Sequence, residues 1–285
     1  MDIQTFFDEN TYTFTYIVID KKTKKCAIID PVLDFDFHSG KTWTASADKL
    51  IDYVKEHGLE VQWILETHAH ADHLTGAHYL NQTFDAKIGI GEHIKDVLAL
   101  WVPIFNIGSD TPLNGSQFGR LFKDGEHFTI GTLDVKVLHT PGHTPACVSY
   151  LINDEVIFVG DTLFMPYLGT ARADFPGGNA EVLYDSIQKI LALPGYTQIM
   201  ICHDYPQGNQ KPSNVSTVKE QKKQNIMINE TIGKENYIVA RNLRDSDLKV
   251  PKLLLPSIQV NLRAGYLGAP EENGVQYMKI PLNQL

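Results

Sequence analysis

The densest group of chemistry-bearing residues in this 285-residue chain places three histidines and one aspartate within six positions: His68, His70, Asp72 and His73. The group directly follows the apolar run 61–65, which is typical of a buried strand. Imidazole and carboxylate together suit Zn²⁺, Fe²⁺ or Mn²⁺. Because alternate residues at a strand exit project to the same side, His68 and His70 can reach one ion. The cluster therefore predicts metal chemistry.

Three further candidate ligands lie far from this cluster, each after a predicted strand. His143 follows the strand 133–139 in a Pro-Gly turn, Asp161 follows a glycine after 156–159, and His203 ends the strand 198–202. Each one alone is weak evidence, because such residues often serve turns or structural hydrogen bonds. Together with the first cluster they predict one metal site where several strand ends converge. Asp30, which precedes a proline, either orients a ligand histidine or belongs to a plain turn.

These strand ends are expected to belong to an α+β fold with two β-rich layers covered by helices. The apolar patterns predict helices at 45–57, 74–80, 179–193 and 215–228, and a long irregular loop at 101–121 that could act as a lid. We expect residues 1–230 to form the catalytic domain and 231–285 to be a C-terminal extension of the same domain. Within that extension, residues 253–258 are predicted to be a strand or strap packed on the core.

Composition narrows the partners of this chain. The net charge is −9 and lysines and arginines form no block, which argues against nucleic acid as a partner. No apolar run approaches the roughly 20 residues that span a bilayer, and the N-terminus lacks the pattern of a signal peptide. The three cysteines are odd in number and widely spaced, as expected for buried thiols in a reducing cytoplasm. We therefore expect a cytoplasmic protein with a small-molecule substrate and no membrane partner.

The ordered ligand set resembles that of the metallo-β-lactamase superfamily across the whole catalytic region. The resemblance implies an αββα metallo-β-lactamase sandwich with the metal site between its sheets. In dinuclear members of this family, one metal would be held by His68, His70 and His143 and the other by Asp72, His73 and His203, with Asp161 bridging the two.

Three stretches, 140–147, 169–175 and 203–205, resemble the persulfide dioxygenase (sulfur dioxygenase) branch. Residues 45–48 and the tail 256–285 resemble a related bacterial β-lactamase-hydrolase-like subgroup. The resemblance to the branch implies a single Fe²⁺ per chain, bound by His68, His143 and Asp161 as two histidines and one carboxylate. The three remaining coordination positions of the iron would accept the substrate and O₂.

The resemblance also implies roles for the residues around this iron. Arg172 would clamp a carboxylate of a glutathione-like carrier through paired donors, and Tyr205 and Thr144 would also contact the substrate. Asp72, His73 and Tyr205 are the catalytic candidates. The residues that surround the iron without binding it would be His70, Asp72, His73 and His203.

The activity implied is the oxidation of glutathione persulfide, or a similar low-molecular-weight persulfide, by O₂ to sulfite and thiol in sulfide detoxification. A homodimer and a separate rhodanese partner stay open. The alternative is a glyoxalase II-like hydrolase of glutathione thioesters with one or two Zn²⁺. The predicted single helix after His203, followed by strand-like sequence, disfavours that alternative. A non-catalytic metal-binding module is a second alternative, although structural zinc sites usually need only four ligands.

Overall fold

The computed structural model describes residues 1–206, 208 and 210–284. In chain order the elements are β1 (Asp2–Asp8), β2 (Thr13–Ile19), β3 (Lys25–Ile29), β4 (Val32–Asp36), β5 (Lys41–Trp43), α1 (Ala45–Glu56), β6 (Glu60–Leu65), β7 (Leu74–Thr75), α2 (Ala77–Phe84), β8 (Lys87–Gly91), α3 (Ile94–Phe105), β9 (Arg120–Phe122), β10 (His127–Ile130), β11 (Leu133–His139), β12 (Val148–Ile152), β13 (Val156–Phe158), α4 (Ala180–Leu191), β14 (Gln198–Met200), β15 (Val215–Thr217), α5 (Val218–Gln224), α6 (Lys234–Ser246) and α7 (Leu254–Asn261).

Two six-stranded sheets form the centre of the molecule. The first has the order β1-β2-β3-β6-β8-β9 and the second the order β10-β11-β12-β13-β14-β15. Strands β3, β6, β8 and β9 run parallel to one another, and β13 and β14 form the parallel pair of the second sheet. A small third sheet, β5-β4-β7, contains the hairpin that precedes α1. Parallel pairs place consecutive strand ends at the same edge, which is where the candidate ligands follow β6, β13 and β14.

Three apolar clusters divide these elements into layers. One cluster fills the space between the sheets and includes Tyr16, Val137 and Tyr150. Another lies on the outer face of the first sheet with residues of α1, α2 and α3, and a third lies on the outer face of the second sheet with residues of α4. Each sheet thus buries both of its faces, one against the other sheet and one against helices. The predicted αββα sandwich is confirmed.

Two helices begin later in the chain than predicted. The predicted helix 74–80 is wrong at its start, because Leu74–Thr75 pairs with β4 and the helix begins at Ala77. The predicted helix 215–228 likewise begins only at Val218, where Thr217 and Glu220 form a capping box.

The predicted irregular loop 101–121 is partly helical, since α3 continues to Phe105 and ends at Asn106 in a left-handed conformation (φ 51°). The rest of the segment is fastened to the C-terminal region. Arg263 donates to Asp110 at 3.1 Å, and Gln117 donates to the carbonyl of Leu262 at 2.6 Å. These contacts hold the segment against the body of the protein.

The C-terminal residues form helices on both outer layers. Residues 253–258, predicted as a strand or strap, instead form the N-cap (Leu253) and the first residues of α7. Pro256 lies in the first turn of this helix, where a missing backbone N–H costs no helical hydrogen bond. Helix α6 packs against α4 and α7 packs beside α3 and β7. The chain therefore crosses from one helical layer to the other between residues 247 and 253. The division at residue 230 stays a prediction.

No helix in the described part of the chain is long and apolar enough to cross a membrane. The three cysteines are buried free thiols.

Candidate metal centre

The candidate ligands meet at one edge of the sandwich. Residues 68–73 follow β6, and the turn after β11 contributes His143. Four groups have donor atoms within 4.8 Å of one another, and two of them contain Cys202. The two groups made only of histidine and aspartate are a first donor set of His68, His143 and Asp161 and a second donor set of His70, Asp72, His73 and His203. The five histidines are buried, while the side chain of Asp72 is 26% exposed.

The first donor set is held by short hydrogen bonds that act on the Nδ1 atoms of its histidines. His143 Nδ1 donates to the carbonyl of Arg172 at 2.8 Å, and His68 Nδ1 lies 3.1 Å from the hydroxyl of Thr67. Both Nε2 atoms are therefore left as acceptors facing Asp161 Oδ2, at 3.9 Å from His68 and 3.6 Å from His143. Two imidazole nitrogens and a carboxylate oxygen in this arrangement suit one divalent ion.

The second donor set lies on the other side of Asp161. His203 Nε2 is 3.3 Å from Asp72 Oδ2 and also 3.3 Å from Asp161 Oδ1. The Nδ1 atoms of His73 and His203 are 3.4 Å and 3.3 Å from the hydroxyl of Thr13. Asp161 therefore presents one oxygen to each set, as a bridging ligand must.

His70 is oriented by two buried carboxylates. Its Nε2 donates to Asp30 Oδ1 at 3.0 Å and lies 3.5 Å from Glu66 Oε2. Burial by itself lowers the pKa of His70, but Asp30 and Glu66 outweigh it and raise that pKa well above the usual range. Of the two interpretations of Asp30, the contact with a ligand histidine is thus the one observed. Asp30 also accepts the backbone N–H of Thr67 at 2.8 Å, which fixes the start of the ligand loop.

Unpartnered buried atoms test whether metal ions fit here. Buried polar atoms nearly always have a hydrogen-bond partner. Within the described ranges, six atoms of the two sets have none: Nε2 of His68, His73 and His203, Nδ1 of His70, and one carboxylate oxygen each of Asp72 and Asp161. Divalent ions would satisfy these atoms, and the nitrogen and oxygen donors suit iron or zinc. The residues therefore fit one ion at the first set and a second at the other.

The surroundings keep two of these histidines, His68 and His73, neutral. Burial and the neighbouring His70 lower the pKa of His68 well below its usual value and that of His73 to about 4. Although burial opposes it, His203 and His73 hold the pKa of Asp72 below its ordinary range. Neutral imidazoles and ionised carboxylates are the forms that bind metal ions.

Two residues outside the ligand motif position the loop. Gly160 (φ 50°) lies so close to Thr67 that a Cβ at position 160 would be 2.5 Å from the Thr67 hydroxyl. A glycine is therefore needed directly before Asp161 for the two chain segments to come this close. Asn261 of α7 donates to the carbonyls of His70 and His73, each at 2.8 Å. Sequence reasoning missed Asn261, because nothing local marks a residue that acts from the end of the chain.

A cavity of about 280 Å³ opens onto both donor sets. Asp161, His143 and Asp72 line it, and so do the predicted substrate-binding residues Arg172 and Tyr205. Burial, followed by the charges of Asp72 and Asp161, raises the pKa of Tyr205, which keeps its hydroxyl a hydrogen-bond donor.

Arg172 is already engaged within the protein. Its guanidinium donates to both oxygens of Asp174 at 2.6 and 2.7 Å and to the carbonyl of Lys249 at 2.8 Å. The hydroxyl of Thr144 lies 3.1 Å from Cys147 Sγ, and Thr144 faces a smaller crevice beside Phe175. The substrate-binding roles of Arg172, Tyr205 and Thr144 stay predictions.

Helix α6 adds two arginines to the wall of the cavity, Arg241 and Arg244. Sequence reasoning missed them because it placed no helix between 229 and 252. The spacing of the buried residues Tyr237, Arg241 and Asp245, each four positions apart, is the helical signal that could have found them.

The chain is similar to known proteins over almost its whole length. The family model described as "Metallo-beta-lactamase superfamily" matches residues 10–203. Glyoxylase B2 of Dictyostelium discoideum is 52% identical over 99% of this chain and 97% of its own. The Beta-lactamase hydrolase-like protein of Agrobacterium fabrum is 49% identical over 99% of this chain, which spans 65% of that protein.

More distant relatives carry the name of the predicted activity. The mitochondrial persulfide dioxygenase ETHE1 of Bos taurus is 30% identical over 94% of this chain and 90% of its own. Among solved structures, ETHE1 from Myxococcus xanthus superimposes with a TM-score of 0.74 at 28% identity, covering 93% of this chain and all of that one. These similarities confirm the predicted superfamily and support the predicted branch.

Proposed function

Because this chain belongs to the metallo-beta-lactamase superfamily, we propose that it is an Fe²⁺-dependent persulfide dioxygenase acting in sulfide detoxification. Its substrate is glutathione persulfide or a similar low-molecular-weight persulfide. The overall reaction is RSSH + O₂ + H₂O → RSH + SO₃²⁻ + 2 H⁺, in which the outer sulfur is oxidised and O₂ is reduced.

The first donor set is the observation that carries this proposal. Two histidines and one aspartate bring one donor atom each within 4.8 Å of one another, which is the residue set of the 2-His-1-carboxylate sites of iron oxygenases. Iron bound there would supply the redox chemistry and open positions for the substrate and O₂. The similarity to ETHE1 proteins in sequence and structure supports the same choice.

The protein's own residues hold the substrate and manage its protons. Phe164, Leu168 and Phe175 line the cavity and exclude water from the reacting sulfur. Asp72, ionised and partly exposed, is placed to accept the proton of the persulfide or of the water that enters the reaction. Neutral His73 stands behind it, with Nδ1 3.4 Å from Asp72 Oδ1. Tyr205 donates a hydrogen bond to the substrate from the cavity wall.

A di-zinc glyoxalase II-like hydrolase is the second candidate, and specific observations favour it. The second donor set is complete and has unpartnered buried atoms of its own, as a second zinc would require. The region after His203 contains α5, α6 and α7, so the predicted scarcity of helix there is wrong and no longer counts against this candidate. Glyoxylase B2 is also the name of a close relative.

A non-catalytic metal module is the third candidate. A structural site is usually closed by four ligands, whereas this centre offers seven and opens into a cavity.

Two assays on one batch of metal-free protein, reloaded with either iron or zinc, separate the first two candidates. Iron-loaded protein with glutathione persulfide is expected to consume one O₂ and release one sulfite per turnover, measured with an oxygen electrode and by ion chromatography. Zinc-loaded protein is expected to cleave S-lactoylglutathione slowly or not at all. Brisk thioester cleavage without O₂ uptake would select the hydrolase, and neither activity at any metal loading would select the non-catalytic module.

A further inference from the structure

The cavity beside the donor sets is lined by the carboxylates of Asp72 and Asp161 and by arginines. Three arginines line it: Arg172, Arg241 and Arg244. Arg172 is paired with Asp174, and Arg241 is paired with Asp245 at 2.6 Å. Among the described residues, Arg244 has no carboxylate within ion-pair distance. One cation at this wall therefore lacks a counter-ion.

The surroundings of Arg244 leave its donors available. Its Nη1 lies 3.3 Å from the carbonyl of Leu168 and 3.5 Å from Met227 Sδ, both long contacts, and the residue is exposed. Arg241 lies one helical turn away, so two like charges share this face of α6. Burial and Arg241 lower the pKa of Arg244, whereas the more distant charge of Asp245, which is already paired with Arg241, opposes them.

We propose that Arg244 binds a carboxylate of the carrier thiol and thereby selects acidic carriers. This inference rests on the proposed function for the identity of the carrier. Arg244 acts on a substrate whose sulfur reaches the donor sets, whose middle lies against Phe164, Leu168 and Leu248, and whose carboxylate ends at α6. An arginine suits this role because its planar fork can donate two parallel hydrogen bonds to one carboxylate. A cavity of 280 Å³ fits a tripeptide-sized carrier and no macromolecule.

Arg244 thus takes the clamp role that the family resemblance assigns to Arg172. To bind a carrier, Arg172 would have to give up a bidentate ion pair with Asp174 and a bond to the carbonyl of Lys249. Arg244 gives up two long contacts at most. We therefore expect Arg172 to brace the wall of the cavity and Arg244 to contact the carrier.

Calorimetry with two matched ligands tests the assignment without turnover. Iron-loaded protein under argon is titrated with glutathione and with glutathione diethyl ester, which keeps the thiol and backbone but has no carboxylate. Wild type is expected to bind glutathione at least about tenfold more tightly than the diester, as for a hydrogen bond between charged groups. The Arg244→Ala variant is expected to bind both ligands equally, at the affinity of wild type for the diester. Arg244→Lys should recover part of the preference.

A control variant and the remaining possible results complete the test. Lys223→Ala, which removes an exposed charge from α5 outside the cavity, should keep the wild-type preference. A preference that survives in Arg244→Ala, or that is absent in wild type, overturns the assignment. If Arg172→Ala loses the preference while Arg244→Ala keeps it, the clamp is Arg172. If the ratios follow expectation but glutathione persulfide drives no O₂ uptake, the proposed function fails and the anion site stands.

Discussion

The two donor sets use the same residue types but are held in different ways. In the first set, His143 and His68 are fixed through Nδ1 by contacts of 2.8 and 3.1 Å, and Asp161 is nearly buried. In the second set, Asp30 holds His70 at 3.0 Å, but the corresponding contacts of His73 and His203 are 3.3 to 3.4 Å, and Asp72 is 26% exposed. Short outer bonds fix the direction and basicity of a ligand nitrogen. The first set is thus the more rigid site for a resident ion.

The looser set has a position that suits a second role. Asp72 lines the cavity beside the donor sets and also a second pocket, which contains Tyr12, Phe35 and Trp43. A group in that position can meet a substrate as well as a metal. Whether the second set holds an ion during turnover therefore separates hydrolysis from oxidation, and this occupancy can be measured.

Replacing Asp161 should have the largest effect, because it removes the residue that the two sets share. Asp161→Ala is expected to lose all bound metal at micromolar concentration and to show no activity above background. Outer partners of ligands alone account for about 10- to 100-fold in metal affinity, so loss of a ligand should exceed about 100-fold. Metal per chain is measured by plasma mass spectrometry. Asp52→Ala, at an exposed position of α1, is the control, and retention of a full metal complement by Asp161→Ala would contradict the shared role.

Replacing one histidine in each set tests directly whether both donor sets hold an ion. In an iron dioxygenase, His143→Ala should lose the ion and more than about 100-fold in activity, whereas His73→Ala should keep one Fe²⁺ per chain, since it only surrounds the site. Both variants are loaded anaerobically with Fe²⁺ and assayed for metal and O₂ uptake. A wild type that binds two ions per chain, with one ion lost in each variant, would favour the di-zinc hydrolase.

Much of this centre could be predicted from the sequence, because a metal ligand loop is local. Four candidate ligands occupy one short segment after an apolar strand: His68, His70, Asp72 and His73. The local sequence therefore predicts both the strand and the metal binding. The isolated residues His143, Asp161 and His203 are predicted to be ligands only because they follow the first cluster in a characteristic order along the chain.

The rest depends on contacts between distant parts of the chain. Asn261 lies 188 residues from His73, whose carbonyl it binds, and no local pattern marks such a pair. The same reason explains the misassigned C-terminal region. Residues 253–258 contain leucines and a proline, which resemble a strap in isolation, but burial against β7 and α3 favours a helix there. Arg172 was named by motif, whereas its pairing with Asp174 is visible only in three dimensions.

Asn261→Ala tests how far the C-terminal helix supports the ligand loop. The Asn261 amide donates to the carbonyls of His70 and His73 and its oxygen accepts the N–H of Thr75, so the variant leaves three buried groups without this partner. We expect the free energy of unfolding to fall by about 2 kcal/mol and the metal affinity by about 10-fold or more. Urea denaturation and competition with a chelator measure the two quantities. Asn242→Ala, exposed on α6, is the control, and equal metal affinity in the two variants would show that the loop holds itself.

Tyr205→Phe should have the smallest effect and separates substrate contact from metal support. The ring of Tyr205 is nearly parallel to that of His203, with centroids 6.2 Å apart, and meets the ring of Phe164 edge-on at 6.3 Å. Phenylalanine therefore keeps the packing and removes only the hydroxyl. One neutral hydrogen bond contributes about 0.5 to 1.5 kcal/mol, which predicts a 2- to 10-fold loss in kcat/KM for glutathione persulfide. Metal content should not change, because in the proposed role the hydroxyl would contact the substrate and not the metal ligands. A variant with lower metal content and an unchanged kcat/KM per bound ion would instead place Tyr205 with the looser donor set, as a brace for His203.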